Sequence, residues 1–224
     1  MSTFGMVRTK CFICKARNNF GEIRSTSSHG PSDLDARPSE PRRSTMPYWI
    51  QVCPSCGYVS SYVDDETTIT RPFLESEQYI HCDGIAFVST LASNFYQQHL
   101  IKLAEGDEDH AFTALLYASW ACDDAKDQEN AILVREKAIL LADRLLEANE
   151  INDAETVSLI RADMMRRAGH FEEMIEQYKD VSYSTELSNQ IIAFEIRRHP
   201  VQNMPGRMMI QIIGSALFIR KHGI

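Results

Sequence analysis

Cys11-Phe12-Ile13-Cys14 and Cys53-Pro54-Ser55-Cys56-Gly57-Tyr58 decide how this chain is read. Two residues between cysteines let a tight turn aim both sulfurs at one point. Zinc takes four soft or borderline ligands in a tetrahedron, and closed thiolate sets are structural. Gly57, directly after its knuckle, suits a positive φ at no steric cost, and Pro54 pre-sets the entry to the turn. Cys11, Cys14, Cys53 and Cys56 are therefore the candidate ligands of one structural Zn2+. A catalytic zinc does not fit, since four thiolates leave no open position for water. Two rivals stand beside this reading. A redox-active Cys-x-x-Cys needs a helix directly behind it, and neither pair has a clear one; free structural thiols are the other. His29, or the His81-Cys82 pair, offers a substitute ligand, but His29 reads as a solvated loop histidine. Cys82 and Cys122 read as small apolar residues.

Outward from the knuckles, Met6–Lys10 and Tyr48–Val52 read as the strands entering them, and Tyr58–Val63 as a return strand. The 38 residues from Lys15 to Val52 exceed the ~15–20 of a compact zinc ribbon. Within them residues 25–44 carry Pro31, Pro38 and Pro41 and almost no large apolar side chain, which gives an irregular polar loop, draped over the helical part. Residues 1–63 thus form a zinc-ribbon-like module with too little apolar content to fold by burial alone. Cys14→Ser or Cys56→Ser is expected to unfold it and spare the helices.

Charge and composition change at its end. Residues 1–63 hold eight Lys/Arg against four Asp/Glu, a balance of +4, whereas residues 64–224 hold 15 against 27, a balance of -12. The acidic run Asp64-Asp65-Glu66 marks the boundary. At 44% apolar and 24% charged residues, the 224-residue chain is ordinary globular material, neither disordered nor collagen-like. No apolar run approaches the ~18 residues of a bilayer span. The first ten residues show no secretory signal, so a cytoplasmic protein is expected. A net charge of -8 makes the whole chain a poor general nucleic-acid binder.

From Ala86 the hydrophobic period turns helical. Residues 64–105 read as a linker and a first helix with the stripe Phe87, Leu91, Phe95, Leu100. His110–Asp123 follows as a helix, and the acids Glu105, Asp107, Glu108 and Asp109 before it suit a helix N-terminus rather than catalysis. Asp127–Glu147 carries Ala131, Val134, Ala138, Leu141 and Leu145 on one face and Ile132, Ile139, Ala142 and Leu146 on another, so it packs between neighbours. Ala162, Gly169, Phe171, Met174, Tyr178 and Val181 are spaced like a tetratricopeptide repeat, within a repeat-like stretch over 106–199. A plain antiparallel bundle has the same helix-pair periodicity. The tail, 200–224, contains the apolar run Met208–Ile219, too short to span a membrane and read as a cap on the helical stack; partner binding through this run is the alternative. The fold class is α+β, mainly α: a small zinc-ribbon-like head, then a tetratricopeptide-like antiparallel helical array.

The first knuckle, the polar loop with Ser32-Asp33-Leu34-Asp35-Ala36-Arg37-Pro38 and Arg43-Ser44-Thr45-Met46, then Trp49, the second knuckle and repeat-like helices together resemble a group of uncharacterised bacterial proteins known only as a domain of unknown function. The resemblance covers most of residues 8–180, and the second knuckle is its most specific part. It implies a metal-binding, cytoplasmic bacterial protein and no established activity. The first knuckle lacks the Pro and Gly common in such turns, and the apolar tail has no counterpart.

The phosphate-cradle, dinucleotide, zinc-protease and serine-hydrolase motifs are missing from the sequence. The leading function is a non-enzymatic adaptor that binds a protein or peptide partner in its helical groove. Leu159, Asp163 and Arg166 line the inner face of the third helix, with Thr156 and Arg167 flanking them. The alternative is a nucleic-acid-binding zinc ribbon, using Arg37, Arg42 and Arg43 for phosphates and Trp49 and Tyr58 for bases. A thiol redox protein is third.

Overall fold

A computed structural model describes residues 1–148 and 153–197. The tail assigned to residues 200–224 lies outside them. Two antiparallel hairpins open the chain: β1 (Thr3–Lys10) pairs with β2 (Arg17–Ser25), and β3 (Gln51–Val52) pairs with β4 (Val59–Ser60). Eight α-helices follow among the described residues: α1 (Arg71–Leu74), α2 (Glu77–Ile80), α3 (Thr90–Ala104), α4 (Glu108–Asp124), α5 (Gln128–Ala148), α6 (Ala154–Ala168), α7 (Phe171–Tyr178) and α8 (Glu186–Arg197). The described chain is mainly helical, with small two-stranded sheets near its N-terminus.

The chain divides into two compact units, but not at residue 63. Of the described residues, the first holds 1–27 and 41–134, and the second holds 28–40, 135–148 and 153–197. The reason lies in what the cysteine-bearing segments pack against. Trp49 sets its ring 5.1 Å from Tyr117 and 6.5 Å from Trp120, both on α4, while its Nε1 donates to Thr45 Oγ1. Tyr58, Val59 and Val63 are buried, and Tyr79 on α2 donates its hydroxyl to the Gly57 carbonyl at 2.7 Å. Gln98 on α3 donates to Ser61 Oγ. The apolar side chains that residues 1–63 lack are supplied by α2, α3 and α4, so head and first helix pair share one core.

Local signals account for the helix ends. Ser89 caps α3 by accepting the Ala92 N–H, and Asp107 caps α4 by accepting the His110 N–H, with Glu108 and Asp109 in its first turn. Asp127 accepts from Asn130 and from the Val88 N–H at the start of α5. Along α5 the expected stripe of Ala131, Val134, Ala138, Leu141 and Leu145 is buried; on the second face Ile139 and Ala142 are buried and Ile132 is exposed.

Within the second unit, Gly169 ends α6 in the left-handed conformation, φ 97°, and α7 starts two residues later. Ala162, Met174 and Tyr178 are buried as their spacing requires, whereas Val181 is exposed. Arg161, buried on α6, donates to Asp143 at 2.6 Å, Gln177 at 2.8 Å and Tyr178 Oη at 3.1 Å. Residues 28–40 fold back on themselves. The Asp33 N–H donates to the Arg37 carbonyl, the His29 N–H to the Glu40 carbonyl, and Ala36 takes φ 63° between them.

The strand expectations need adjustment. Tyr48–Val52 is a strand only at Gln51–Val52, because Arg43–Tyr48 winds into a 3-10 helix. The return strand shortens to Val59–Ser60, and β2 was not foreseen at all.

Candidate metal centre

Each hairpin turns through one cysteine pair, and the two turns are built alike. The Cys11 N–H donates to the Ala16 carbonyl and the Lys15 N–H to the Cys11 carbonyl; the Cys53 N–H donates to the Tyr58 carbonyl and the Gly57 N–H to the Cys53 carbonyl. The fourth residue after each leading cysteine must take positive φ. Gly57 does so at 74° without cost, and Lys15 does so at 62° against its Cβ. The Lys15 ammonium lies 4.2 Å from the Phe12 ring centroid, a cation–π contact that offsets part of that strain. The missing glycine of the first knuckle thus leaves its geometry intact.

The turns bring Cys11, Cys14, Cys53 and Cys56 together, with all four sulfurs within 4.8 Å of one another. Cys11 Sγ lies 3.7 Å from Cys56 Sγ, and Cys14 Sγ 3.6 Å from Cys53 Sγ. A tetrahedron with metal–sulfur bonds of ~2.3 Å has edges of ~3.8 Å. A disulfide would need ~2.05 Å, and all four cysteines are free thiols. The set fits a metal ion in both donor chemistry and size. Cys11 and Cys53 are fully buried, and Asn18 Nδ2 points at Cys53 Sγ from 3.9 Å.

Two of the thiols resist ionisation. Burial pushes Cys11 and Cys56 above the usual thiol range. Burial also opposes ionisation of Cys14, but the Ala16 N–H and the neighbouring thiols outweigh it and hold Cys14 low. A divalent cation at the centre would favour the thiolate form throughout, and four sulfurs would close its coordination. His29 is exposed and stands outside this cluster. Cys82 and Cys122 are buried and apart from it, as expected of small apolar residues.

The polar residues expected to line the groove all have partners within the protein. Thr156 donates its N–H and hydroxyl to Asp153, which caps α6. Leu159 and Asp163 are buried and are not open to an incoming chain. Asp163 accepts from Arg166 at 2.5 Å and pairs with Arg167 at 2.7 Å; Arg166 also bonds Glu195 on α8, and Arg167 reaches Asp35 at 3.4 Å. Sequence reasoning found the cluster's helix but missed Glu195 and Asp35, because periodicity carries no information about partners on other elements. The residues named for nucleic-acid contact are divided between the two units. Trp49 and Tyr58 are packing residues, and Arg37 is a buried residue of the loop in the second unit, whereas Arg42 and Arg43 belong to the first.

Compared with family models, with curated proteins and with solved structures, the chain matches none. No helix among the described residues is long and apolar enough to cross a membrane.

Proposed function

We propose that this is a non-enzymatic interaction protein whose zinc-ribbon-like head is stapled by one structural zinc ion and whose tetratricopeptide-like helices present a partner-binding groove. The observation that carries the metal half is the convergence of Cys11, Cys14, Cys53 and Cys56 within 4.8 Å, with geometry that closes a tetrahedron. A closed thiolate sphere has no site for substrate, which favours a structural over a catalytic role. The groove half draws support from Asp35. One carboxylate of the 28–40 loop meets the Arg167 guanidinium of α6, so a partner's carboxylate would find the same cation by displacing the loop.

The test uses the intact, zinc-loaded chain. Asp35→Ala removes the internal competitor, so capture of a carboxylate-bearing partner should strengthen while the helical signal stays constant. Capture unchanged between wild type and variant removes the groove from the proposal. Elemental analysis that finds no zinc in freshly purified protein removes the staple.

A further inference from the structure

We propose that the outward face of the β1–β2 hairpin binds single-stranded nucleic acid. This surface is independent of the helical groove.

The register sorts the hairpin into two faces. Phe4, Met6, Arg8 and Lys10 stand opposite Ile23, Gly21, Asn19 and Arg17. Gly5, Val7 and Thr9, opposite Glu22, Phe20 and Asn18, form the other face, where Phe20 is buried. The first face is the open one: Met6 is 65% exposed and Phe4 48%, and Arg8, Lys10 and Arg17 are all exposed. Exposed methionine and phenylalanine on a short strand call for an explanation, because burial would ordinarily favour them inside.

Charge and aromaticity are laid out in order along this face. Arg8, Lys10 and Arg17 cluster at the knuckle end, and none has an ion-pair partner among the described residues. The hairpin's one carboxylate, Glu22, is on the opposite face and is taken by Arg24 at 2.6 Å. At the far end Phe4 stacks on Tyr48, with ring centroids 4.5 Å apart and 27° between planes. Gly21 makes room for that ring: a Cβ there would fall 2.8 Å from Tyr48 Cε1. The missing side chain lets Tyr48 lie down on the sheet, and it remains 39% exposed.

Successive same-face residues are about 7 Å apart along a strand, so the face runs ~20 Å from Phe4 to Lys10. It offers three unpaired cations and a flat aromatic pair in one line. Single-stranded nucleic acid matches both features, with phosphates on the cations and bases on the rings. An acidic peptide would use the cations alone. A duplex keeps its bases stacked inside and would leave the rings idle. The chain's -8 net charge does not oppose a local contact of this kind, since distant charges are screened beyond about 8 Å at physiological salt.

The test is fluorescence anisotropy of a short labelled oligo(dT) or oligo(U) with the zinc-loaded full chain. Three phosphate contacts give a slope of about -2 for log affinity against log salt, or roughly a 20-fold loss for a fourfold rise in salt. Arg8→Gln/Lys10→Gln/Arg17→Gln should flatten that slope towards zero. Phe4→Ala should weaken binding roughly 5- to 100-fold and leave the slope unchanged. Lys179→Gln, an exposed helix cation paired with Glu176, should change neither. Tryptophan emission checks that each variant is folded. The proposal fails if no binding is seen at low salt, or if the triple variant keeps the wild-type slope. It also fails if polyglutamate displaces the oligonucleotide, which would make the face an acidic-protein surface, or if duplex binds as tightly as single strand.

Discussion

Replacing Cys56 with serine in the full chain tests how far the metal centre reaches into the fold. Structural zinc contributes on the order of 10–16 kcal/mol in isolated zinc-finger peptides, so one of four thiolates is worth roughly 2.5–4 kcal/mol if shared evenly, and chelation removes the whole. A domain's net stability is about 5–15 kcal/mol, so the serine variant is badly weakened and the chelated protein loses its first unit. What falls with it can be read from the contacts. Gly57 accepts the Tyr79 hydroxyl, Ser61 accepts from Gln98, and Trp49 packs on Tyr117 and Trp120. The effect therefore extends beyond the hairpins to α3, 15 residues, and α4, 17 residues. Both tryptophans of the chain, Trp49 and Trp120, belong to this unit, so their emission reports on it alone. Urea titration followed by tryptophan emission and far-ultraviolet circular dichroism is the assay. Chelation should red-shift the emission without denaturant and remove roughly a third to a half of the helical signal, leaving α6 to α8 folded. Cys56→Ser should lower the emission midpoint by the same mechanism. An unchanged emission midpoint after chelation would refute the shared core. Loss of the hairpins with α3 and α4 intact would restore the independent head expected from sequence.

Two further substitutions probe single features. Lys15→Gly relieves a side chain held at φ 62° and should raise the stability of the first unit by about 1 kcal/mol, less what the Phe12 contact contributes; Gly57→Ala, at φ 74°, should lower it by a similar amount, both by urea midpoint. In the second unit, burial and the nearby Asp163 carboxylate push Glu195 up to about 8, against the pull of Arg166; Asp163 itself is held low by Arg167 and Arg166 despite its burial, with Arg135 adding to the pull. Between the ordinary carboxyl pKa and about 8 the folded protein holds a proton on Glu195 that the unfolded chain releases, so this group's contribution to stability falls as pH rises through that window. Asp163 acts oppositely, and its contribution is lost only as pH falls below the carboxylate range. Glu195→Gln keeps an acceptor for Arg166 and should flatten the decline between pH 5 and 8 in helix-detected unfolding; an unchanged slope would count against the carboxyl pair.

What the sequence disclosed follows physical lines. The four ligands were legible because Cys-x-x-Cys spacing encodes a local turn, and each turn here closes through its own backbone bonds. The helices were legible because stripes such as Ala131 to Leu145 repeat at 3.6 residues. β2 was hidden because Arg17–Ser25 alternates weakly and contains Gly21, whose use is to admit Tyr48 from a distant segment. The unit boundary was hidden for a related reason. Composition shifts at residue 63, but Trp49 packs on the rings of Tyr117 and Trp120, which come later in the chain, and Tyr58 is buried. The pairing of Asp163 and Arg166 was hidden because both look surface-exposed by residue type, and only their partners Glu195, Arg167 and Asp35 explain how such charges are accommodated in the packed unit.

X-ray absorption at the metal edge of the freshly purified full chain, combined with elemental analysis, interrogates the four-sulfur centre itself. We expect one zinc per chain surrounded by four sulfur scatterers at about 2.3 Å. Iron in its place, nitrogen or oxygen in the first coordination sphere, or a metal-free protein with Cys11, Cys14, Cys53 and Cys56 joined as disulfides would contradict it.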